Sequence, residues 1–304
     1  MVFVVFLLVG AAAQFVDGML GLGFGVTSAT LLTLLGYSAV AASASTHAAK
    51  MGTGLVSGLS HWRAGNVDWR LVAVIGIPGA FGAFVGAVAL TTLVSSGSQI
   101  VMAALLMVLG LGILFRFAWR RSLVPALRLQ RRHLWPVGLL AGAIDSAGGG
   151  GWGPVATPTL LSTTVQPTYR IVGSVNTAEF FVAVSASLGF LVAGQSEAIP
   201  WLAVLGLVAG GALTAPLAAR LVHKSPSDLL GILVAGMVLV ANMAVIAKVG
   251  DLPGTITAIA LAMIALLMLA ALGSYFRNRR RVATVAQSGE SDSPEPLVAD
   301  DSGG

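Results

Sequence analysis

The segment DGMLGLGFG, residues 17–25, breaks a hydrophobic stretch, and the segment DSAGGGGWG, residues 145–153, breaks a second one 128 positions later. So many glycines would destabilise a continuous helix by about 1 kcal/mol each, so we expect an interrupted helix at both places. Each segment precedes an ionisable residue in an apolar stretch, Lys50 in the first copy and Glu179 in the second. The chain is therefore an internal duplication. Paired broken segments indicate the substrate site of a secondary transporter, because loosened backbone is tolerated at membrane depth only where it lines a cavity.

The composition is typical of a polytopic membrane protein. Hydrophobic residues make up 56% of the chain and charged residues 10%, whereas soluble domains contain roughly 25% charged residues. The net charge of +5 comes from short basic clusters between apolar stretches, so nucleic acid is not an expected partner. The chain has no cysteine, and its four histidines show no ligand spacing, so we expect neither a metal nor another cofactor.

The lengths of the apolar stretches predict an all-α fold of two repeats. A bilayer core needs about 20 apolar residues per helix. Four shorter stretches meet in pairs at the glycine segments, so each pair is predicted to form a re-entrant helical hairpin; two thin full spans are the alternative. Seven stretches are long enough to span: residues 39–60, 70–92, 98–118, 167–193, 199–219, 228–247 and 253–275. The short stretches are residues 2–16, 24–35, 134–146 and 152–163.

The domain boundaries follow from these stretches. Residues 1–118 form the first repeat, 119–133 a basic linker and 134–250 the second repeat. Residues 251–276 have no counterpart in the first repeat and are predicted to form an added C-terminal helix. The polar residues 277–304 are expected to be disordered because they cannot bury a core.

The basic residues predict the orientation of the chain, since Lys and Arg concentrate in short cytoplasmic loops. Six arginines in and beside the linker predict that it is cytoplasmic. If the spans are counted in both directions from the linker, every basic residue except Lys50 and Lys248 falls on the same side of the membrane. The tail is then cytoplasmic and the N-terminus outside, in a cytoplasmic (inner) membrane. The two hairpins enter from opposite faces, which predicts inverted-topology repeats and alternating access around a midplane site.

Four ionisable residues lie at predicted membrane depth, where a charge costs about 2.5–3.5 kcal/mol and normally faces a cavity or a partner. Lys50 is predicted to hold an anionic substrate. The alternatives are a structural ion pair with Glu179 or Asp17, or a side chain that snorkels to an interface. Glu179 is either a proton-coupling carboxylate or the partner of Lys50, and its protonation would release Lys50 to bind an anion. Asp17 and Asp145 are candidates for proton coupling, and N-terminal capping of the following half-helix is the alternative.

The remaining predicted site residues would hold the head of an anion. Loop glycines that feed a helix N-terminus offer backbone N–H groups to a ligand. Thr46, Ser174 and Asn176 would add hydrogen bonds. His47 either binds the substrate or makes a helix contact. Trp152, inside the second glycine segment, is expected to form a wall or gate of the site. The predicted glycines are Gly21, Gly23, Gly25, Gly149, Gly150 and Gly151.

The doubled block resembles a known family. A glycine-rich loop, the prolines Pro154 and Pro158, and a Ser/Thr/Asn-rich helix some 25 residues later are similar to the sulfite exporter TauE/SafE family, also grouped as toluene sulfonate uptake permeases. The resemblance covers roughly residues 5–275, although Leu22 interrupts the first glycine segment and no proline follows it. It implies a membrane transporter of sulfite, sulfoacetate or another organosulfonate.

The leading expectation is therefore a secondary transporter, an exporter coupled to protons, for a small sulfur-containing anion. Its expected partners are that anion, protons and the lipid bilayer, and a homo-oligomer is left open. An anion channel is the first alternative. A membrane-embedded enzyme ranks last, because Ser45, His47 and Asp17 match no catalytic spacing.

Overall fold

The computed structural model describes residues 2–93, 98–118, 130–164, 166–194, 199–224 and 227–291, and within these ranges every regular element is helical. The all-α prediction is confirmed. The linker residues 119–129 and the last residues, 292–304, lie outside the described residues. The α-helices are α1 (Val2–Leu20), α2 (Phe24–Leu34), α3 (Ala39–Arg63), α4 (Trp69–Leu93), α5 (Ser98–Ala118), α6 (Trp135–Gly148), α7 (Trp152–Thr163), α8 (Thr168–Val192), α9 (Trp201–Leu221), α10 (Ser227–Val249) and α11 (Gly254–Ser291).

Seven helices are long and apolar enough to cross a membrane, but they differ from the predicted seven at one position. They are α1, α4, α5 and α8 to α11. The prediction of a short first arm, residues 2–16, is wrong in length, because α1 continues through Asp17 and Gly18 to Leu20 and reaches 19 residues. The helix α3 has 25 residues, but its polar side chains lower its hydropathy. The helices α2, α6 and α7 are too short to span alone, with 11, 14 and 12 residues. Re-entry of the broken pairs stays a prediction.

The helices of the two repeats correspond in order, and contacts between the repeats occur twice, with the roles of the two repeats reversed. Helix α1 packs on α9, and its counterpart α6 packs on α4; likewise α3 packs on α9, and α8 on α4. The central pairs, α3 with α8 and α5 with α10, join each helix to its own counterpart. This exchange is typical of repeats related by a pseudo-two-fold axis. The opposite orientation of the repeats in a membrane remains a prediction.

Glycines repeat the same exchange at the level of single residues. A Cβ atom added at Gly10 would collide with the Leu207 carbonyl oxygen, and one added at Gly142 would collide with the Gly79 carbonyl oxygen. The two contacts join α1 to α9 and α6 to α4. Small residues at these crossings let the helix backbones approach closely, which draws the interrupted helices into the centre of the molecule.

Helix α11 stands apart from the repeats. Only 11% of the apolar stretch that could cross a membrane is buried, and the helix packs mainly on α10. It runs to Ser291 as one helix of 38 residues, so residues 277–291 are helical where we predicted disorder. Residues 277–288 contain neither Gly nor Pro, and the arginines and alanines among them favour helix propagation.

Candidate functional site

Each glycine loop is joined to the next half-helix by the aspartate that precedes it. Asp17 Oδ1 accepts a hydrogen bond from the Phe24 N–H at 3.3 Å, and Asp145 Oδ1 accepts one from the Trp152 N–H at 2.9 Å. Both donors are the first residues of their helices, whose N-terminal N–H groups have no intrahelical partner. Left-handed backbone at Gly21 (φ 69°), Gly23 (φ 142°) and Gly149 (φ 72°) forms the turns. The two aspartates therefore cap the interrupted helices.

The two glycine loops cross one another. A Cβ atom at Gly25 would lie 2.8 Å from the Gly149 carbonyl oxygen, and one at Gly153 would lie 2.5 Å from the Gly21 carbonyl oxygen. Each loop thus presses a glycine against a carbonyl of the other loop. Side chains at Gly25 and Gly153 would separate the loops, so glycine is required there by space.

Lys50 lies where the loops meet. Its Nζ is 2.8 Å from Asp145 Oδ1 and 2.8 Å from Glu179 Oε1, and it lies against Gly25, whose added Cβ would be 2.7 Å away. All three charged residues are buried, with at most 6% exposure. A buried charge requires partners of this kind. The alternative of a Lys50–Glu179 pair is therefore present, but the second partner is Asp145 and not Asp17.

Asp17 contacts the other face of Glu179. The two side chains interact, and Asp17 Oδ2 is buried without a hydrogen-bond partner. Two carboxyl groups can share a hydrogen bond only when one of them holds a proton, because ionised carboxylates only accept. The four-residue cluster of Asp17, Lys50, Asp145 and Glu179 therefore combines an ion pair with two neighbouring carboxyl groups, here called the acid pair, and Glu179 belongs to both.

His47 and Asn176 occupy equivalent positions, one turn before Lys50 and Glu179. His47 Nε2 lies 3.2 Å from the Asp145 carbonyl oxygen, and Asn176 Nδ2 donates to the Asp17 carbonyl oxygen at 3.2 Å. A carbonyl only accepts, so the neutral His47 ring carries its proton on Nε2. His47 Nδ1 then has no hydrogen-bond partner and lies 3.8 Å from Asp145 Oδ2.

The other predicted side chains divide into one that remains available and two that are engaged. Thr46 Oγ1 is buried without a partner. Ser174 Oγ accepts from the Asp68 N–H in the loop after α3, and the Trp152 indole donates to the Val175 carbonyl while packing against Gly79. Trp152 is fully buried. Its backbone N–H, and not its ring, contributes to the cluster.

Sequence reasoning missed the length of the polar stripe on α3. Apart from the adjacent pair Thr46 and His47, its members follow one another at three- or four-residue intervals, which place them along one side of the helix. The stripe spans about 27 Å at 1.5 Å per residue, close to the thickness of a bilayer core. The polar spacing was a visible signal. The stripe consists of Ser43, Thr46, His47, Lys50, Thr53, Ser57 and His61, all buried.

Each of the four cluster residues is buried within the described part of the chain. One groove runs along the outer face between α4 and α6, beside Ile77 and Phe81, and another lies between α3 and α8, beside Trp62 and Phe180. Both are apolar, and neither contains a residue of the cluster. Among the described residues, no group of three or more His, Asp or Glu side chains has a geometry suited to a metal ion.

Comparison with known proteins identifies the family of this chain. The family model of the sulfite exporter TauE/SafE matches residues 6–245, which include both glycine loops and the whole cluster. The chain belongs to the sulfite exporter TauE/SafE family. It is also 43% identical over 244 residues to the probable membrane transporter protein YtnM of Bacillus subtilis (strain 168), covering 79% of this chain and 81% of that relative. No solved structure matches it.

This TauE/SafE protein is a multi-pass membrane transporter and not an enzyme. Family and relative are both described as transporters, and seven apolar helices are long enough to span a membrane.

Proposed function

We propose that this protein is a proton-coupled secondary transporter that exports a small sulfur-containing anion, such as sulfite, sulfoacetate or another organosulfonate, across the inner membrane. The observation that carries the proposal is the position of Glu179, which binds the Lys50 ammonium at 2.8 Å and also reaches Asp17. One carboxyl group thus connects the cationic group to a pair that holds a proton. The TauE/SafE family supplies the substrate class.

The anion would bind by replacing a carboxylate on Lys50. An ammonium has three N–H donors, and Asp145 and Glu179 engage it now. When a proton neutralises Glu179, its hold on Lys50 weakens, and an oxyanion takes its place. Thr46 Oγ1 lacks a partner and can then donate to the incoming group. His47 Nδ1 carries no proton, so it can accept a hydrogen bond from an anion that is itself protonated, such as hydrogensulfite. The backbone N–H groups of the crossing glycine loops complete the set of donors.

Proton and anion enter the cluster together in this scheme. One proton neutralises Glu179, so a singly charged anion in its place leaves the charge around Lys50 unchanged, and a sulfite dianion adds one negative charge. A sulfite dianion that moves with one proton carries one negative charge outward. An inside-negative membrane potential favours that movement by about 2.3 kcal/mol per 100 mV. Export is therefore compatible with proton coupling at this site.

Alternating access accounts for the burial of the cluster. If the crossed loops switch between two arrangements, the cluster opens to one side of the membrane at a time. An anion channel is the second candidate, because the polar stripe of α3 runs through the whole depth of the helix.

The test is transport by purified protein in proteoliposomes. The vesicles contain a pH-sensitive dye, and sulfite, thiosulfate, sulfoacetate and toluenesulfonate are offered in turn. We expect saturable flux of at least one anion with proton movement, no flux in Lys50→Gln, and flux without pH dependence in Glu179→Gln. Leu55→Ala, at an exposed position of α3, is the control. Unsaturable current without proton movement would favour the channel, and failure with all four anions would exclude the substrate class.

A further inference from the structure

His61 ends the polar stripe of α3, and the exchange at Lys50 makes no use of it. It is fully buried although it lies two residues before the end of the helix. A buried histidine needs hydrogen-bond partners or a function that requires it. Its two ring nitrogens have different surroundings.

Asn66 determines which nitrogen of His61 carries the proton. Asn66 Nδ2 donates to the Ala219 carbonyl at 2.9 Å and lies 3.2 Å from His61 Nδ1. A flipped amide would turn its oxygen toward the Ala219 carbonyl, so the NH2 group must face both acceptors. His61 Nδ1 is therefore an acceptor, and the neutral ring carries its proton on Nε2.

His61 Nε2 faces the backbone next to Asp17. It lies 3.8 Å from the position of a Cβ added at Gly18, it is oriented toward the Gly18 backbone, and it has no full hydrogen bond. Gly18 follows Asp17 directly, and Asn176 holds the Asp17 carbonyl from the other side. The Nε2–H donor is thus directed at the segment that carries the Asp17 carboxyl group.

Other titratable groups lie between His61 and the surface of the protein or at that surface. His223, after α9, acts on His61 electrostatically, is exposed, and contacts the Tyr169 ring of α8 with centroids 4.3 Å apart. Asp68, in the loop after α3, binds Ser174 and Gln166, and Arg63 on α3 itself is exposed. Asp17 is the acid on the inner side.

The other repeat shows that packing alone does not require a histidine here. The position equivalent to His61 is Phe190, which stacks on His47 with ring centroids 6.1 Å apart. An aromatic ring fills this place beside the Asp145–Lys50 ion pair, where no proton is shared. The ring gains titratable nitrogens only beside the Asp17–Glu179 acid pair.

We propose that His61 transfers protons between the surface at the α3–α4 loop and the Asp17–Glu179 pair. This rests on the proposed proton coupling at that pair. A proton from a hydronium ion at the loop adds to Nδ1, and the Nε2 proton leaves to a carboxylate of the pair, directly or through one water. The neutral ring then carries its proton on Nδ1, and rotation of the ring turns that N–H toward the pair for the next transfer. Asn66 turns its unpartnered Oδ1 toward Nδ1–H during the transfer and gives up the Ala219 bond.

The test compares two kinds of sulfite flux in His61→Phe, which copies Phe190. Net proton-driven flux should fall about tenfold or more, because proton transfer by a positioned side chain typically contributes at least that factor. Exchange of labelled for unlabelled sulfite at equal pH on both sides should keep its wild-type rate, because exchange needs no net proton release. His133→Phe, at an exposed position, is the matched control and should change neither rate.

Each other outcome overturns the relay. Normal net flux in His61→Phe would exclude it while leaving the proposed function intact, and loss of both fluxes would make His61 structural. Sulfite flux without proton movement in the wild type would remove the coupling and the relay together. A measurement without substrate checks the tautomer by ¹⁵N spectroscopy of labelled histidines in nanodiscs. We expect Nε2–H for His61 and mixed tautomers in Asn66→Ala, and a wild-type Nδ1–H tautomer would contradict the proposal.

Discussion

The second glycine loop ends in an ion pair and the first in an acid pair. Asp145 caps α7 and binds Lys50, whereas Asp17, in the equivalent position, caps α2 and reaches Glu179. The two loops share a left-handed glycine at equivalent positions, Gly21 and Gly149, and the side chain that reaches the loop aspartate from the other repeat is a lysine in one case and a glutamate in the other. One reversed charge on a duplicated scaffold thus turns an ion pair into two neighbouring carboxyl groups, where the proposed function requires a proton.

The physical reason lies in burial. An ion pair removed from water keeps both charges only if they compensate each other. Two carboxyl groups in the same environment cannot both ionise, because their repulsion and their desolvation act in the same direction. The duplicated fold therefore brings the Lys50–Asp145 ion pair and the Asp17–Glu179 acid pair into one cluster, and Glu179 connects the two.

The largest expected effect tests whether the repeats are inverted at all. Ala64 and Ala193 follow α3 and α8 at equivalent positions, and the chain contains no cysteine. An impermeant maleimide added outside should label Ala193→Cys completely and Ala64→Cys not at all. Both should react in opened vesicles. Labelling of both from one side would end the comparison between the repeats.

The next effect compares Lys50→Gln with Glu179→Gln. Removing Lys50 leaves buried carboxylates without a cation, which typically costs about 3–5 kcal/mol. Gln at position 179 can still accept from Lys50 and donate to Asp17, so its unfolding free energy should change by no more than about 1 kcal/mol. Thermal unfolding in nanodiscs measures both. Equal stability of the two variants would show that Lys50 is not held as an ion pair.

A smaller effect comes from the same substitution in both repeats. Asp145→Asn weakens a charged contact to Lys50, which should cost about 2 kcal/mol. Asp17→Asn should be nearly neutral, because the amide oxygen still accepts from Phe24 N–H and the NH2 group replaces the shared proton. The unfolding midpoints should therefore separate, and proton movement in liposomes should stop in Asp17→Asn. Equal destabilisation would argue for two equivalent charged aspartates.

The smallest effect is expected when His47 is made like its counterpart in His47→Asn. The amide should keep the contact to the Asp145 carbonyl, as Asn176 does with Asp17, so stability should stay at the wild-type level. The lost Nδ1 contact should weaken sulfite binding roughly fivefold, about 1 kcal/mol. Isothermal titration measures this change. Unchanged affinity would remove His47 from the substrate site.

Several parts of the site were predictable because their signals are local. The two glycine segments with their preceding aspartates predicted broken, capped helices, and the caps at Phe24 and Trp152 follow that pattern. Lys50 and Glu179 were recognisable as buried charges within apolar stretches. The spacing on α3 even contained the stripe that ends at His61, but periodicity alone did not indicate that its whole length is buried.

The choice of partners was not predictable in the same way. Lys50 and Asp145 are 95 positions apart, and the sequence equally allowed Asp17 as the partner of Lys50. Ser174 and Trp152 were predicted to contact substrate, yet their polar groups are engaged by the Asp68 N–H and the Val175 carbonyl. These contacts depend on how the helices rotate and cross, which no local pattern reports.

The sequence by itself determined the membrane class, the duplication, the interruption of the helices and the identity of the buried charges, because each depends on composition or on spacing along one helix. Only the tertiary structure decided that the loops cross and that Lys50 binds Asp145. The same is true of the contact between Glu179 and Asp17 and of the direction in which His61 faces. Those contacts arise where segments that are distant in sequence meet in the buried interior, and there each charge must take the partner that the packing offers.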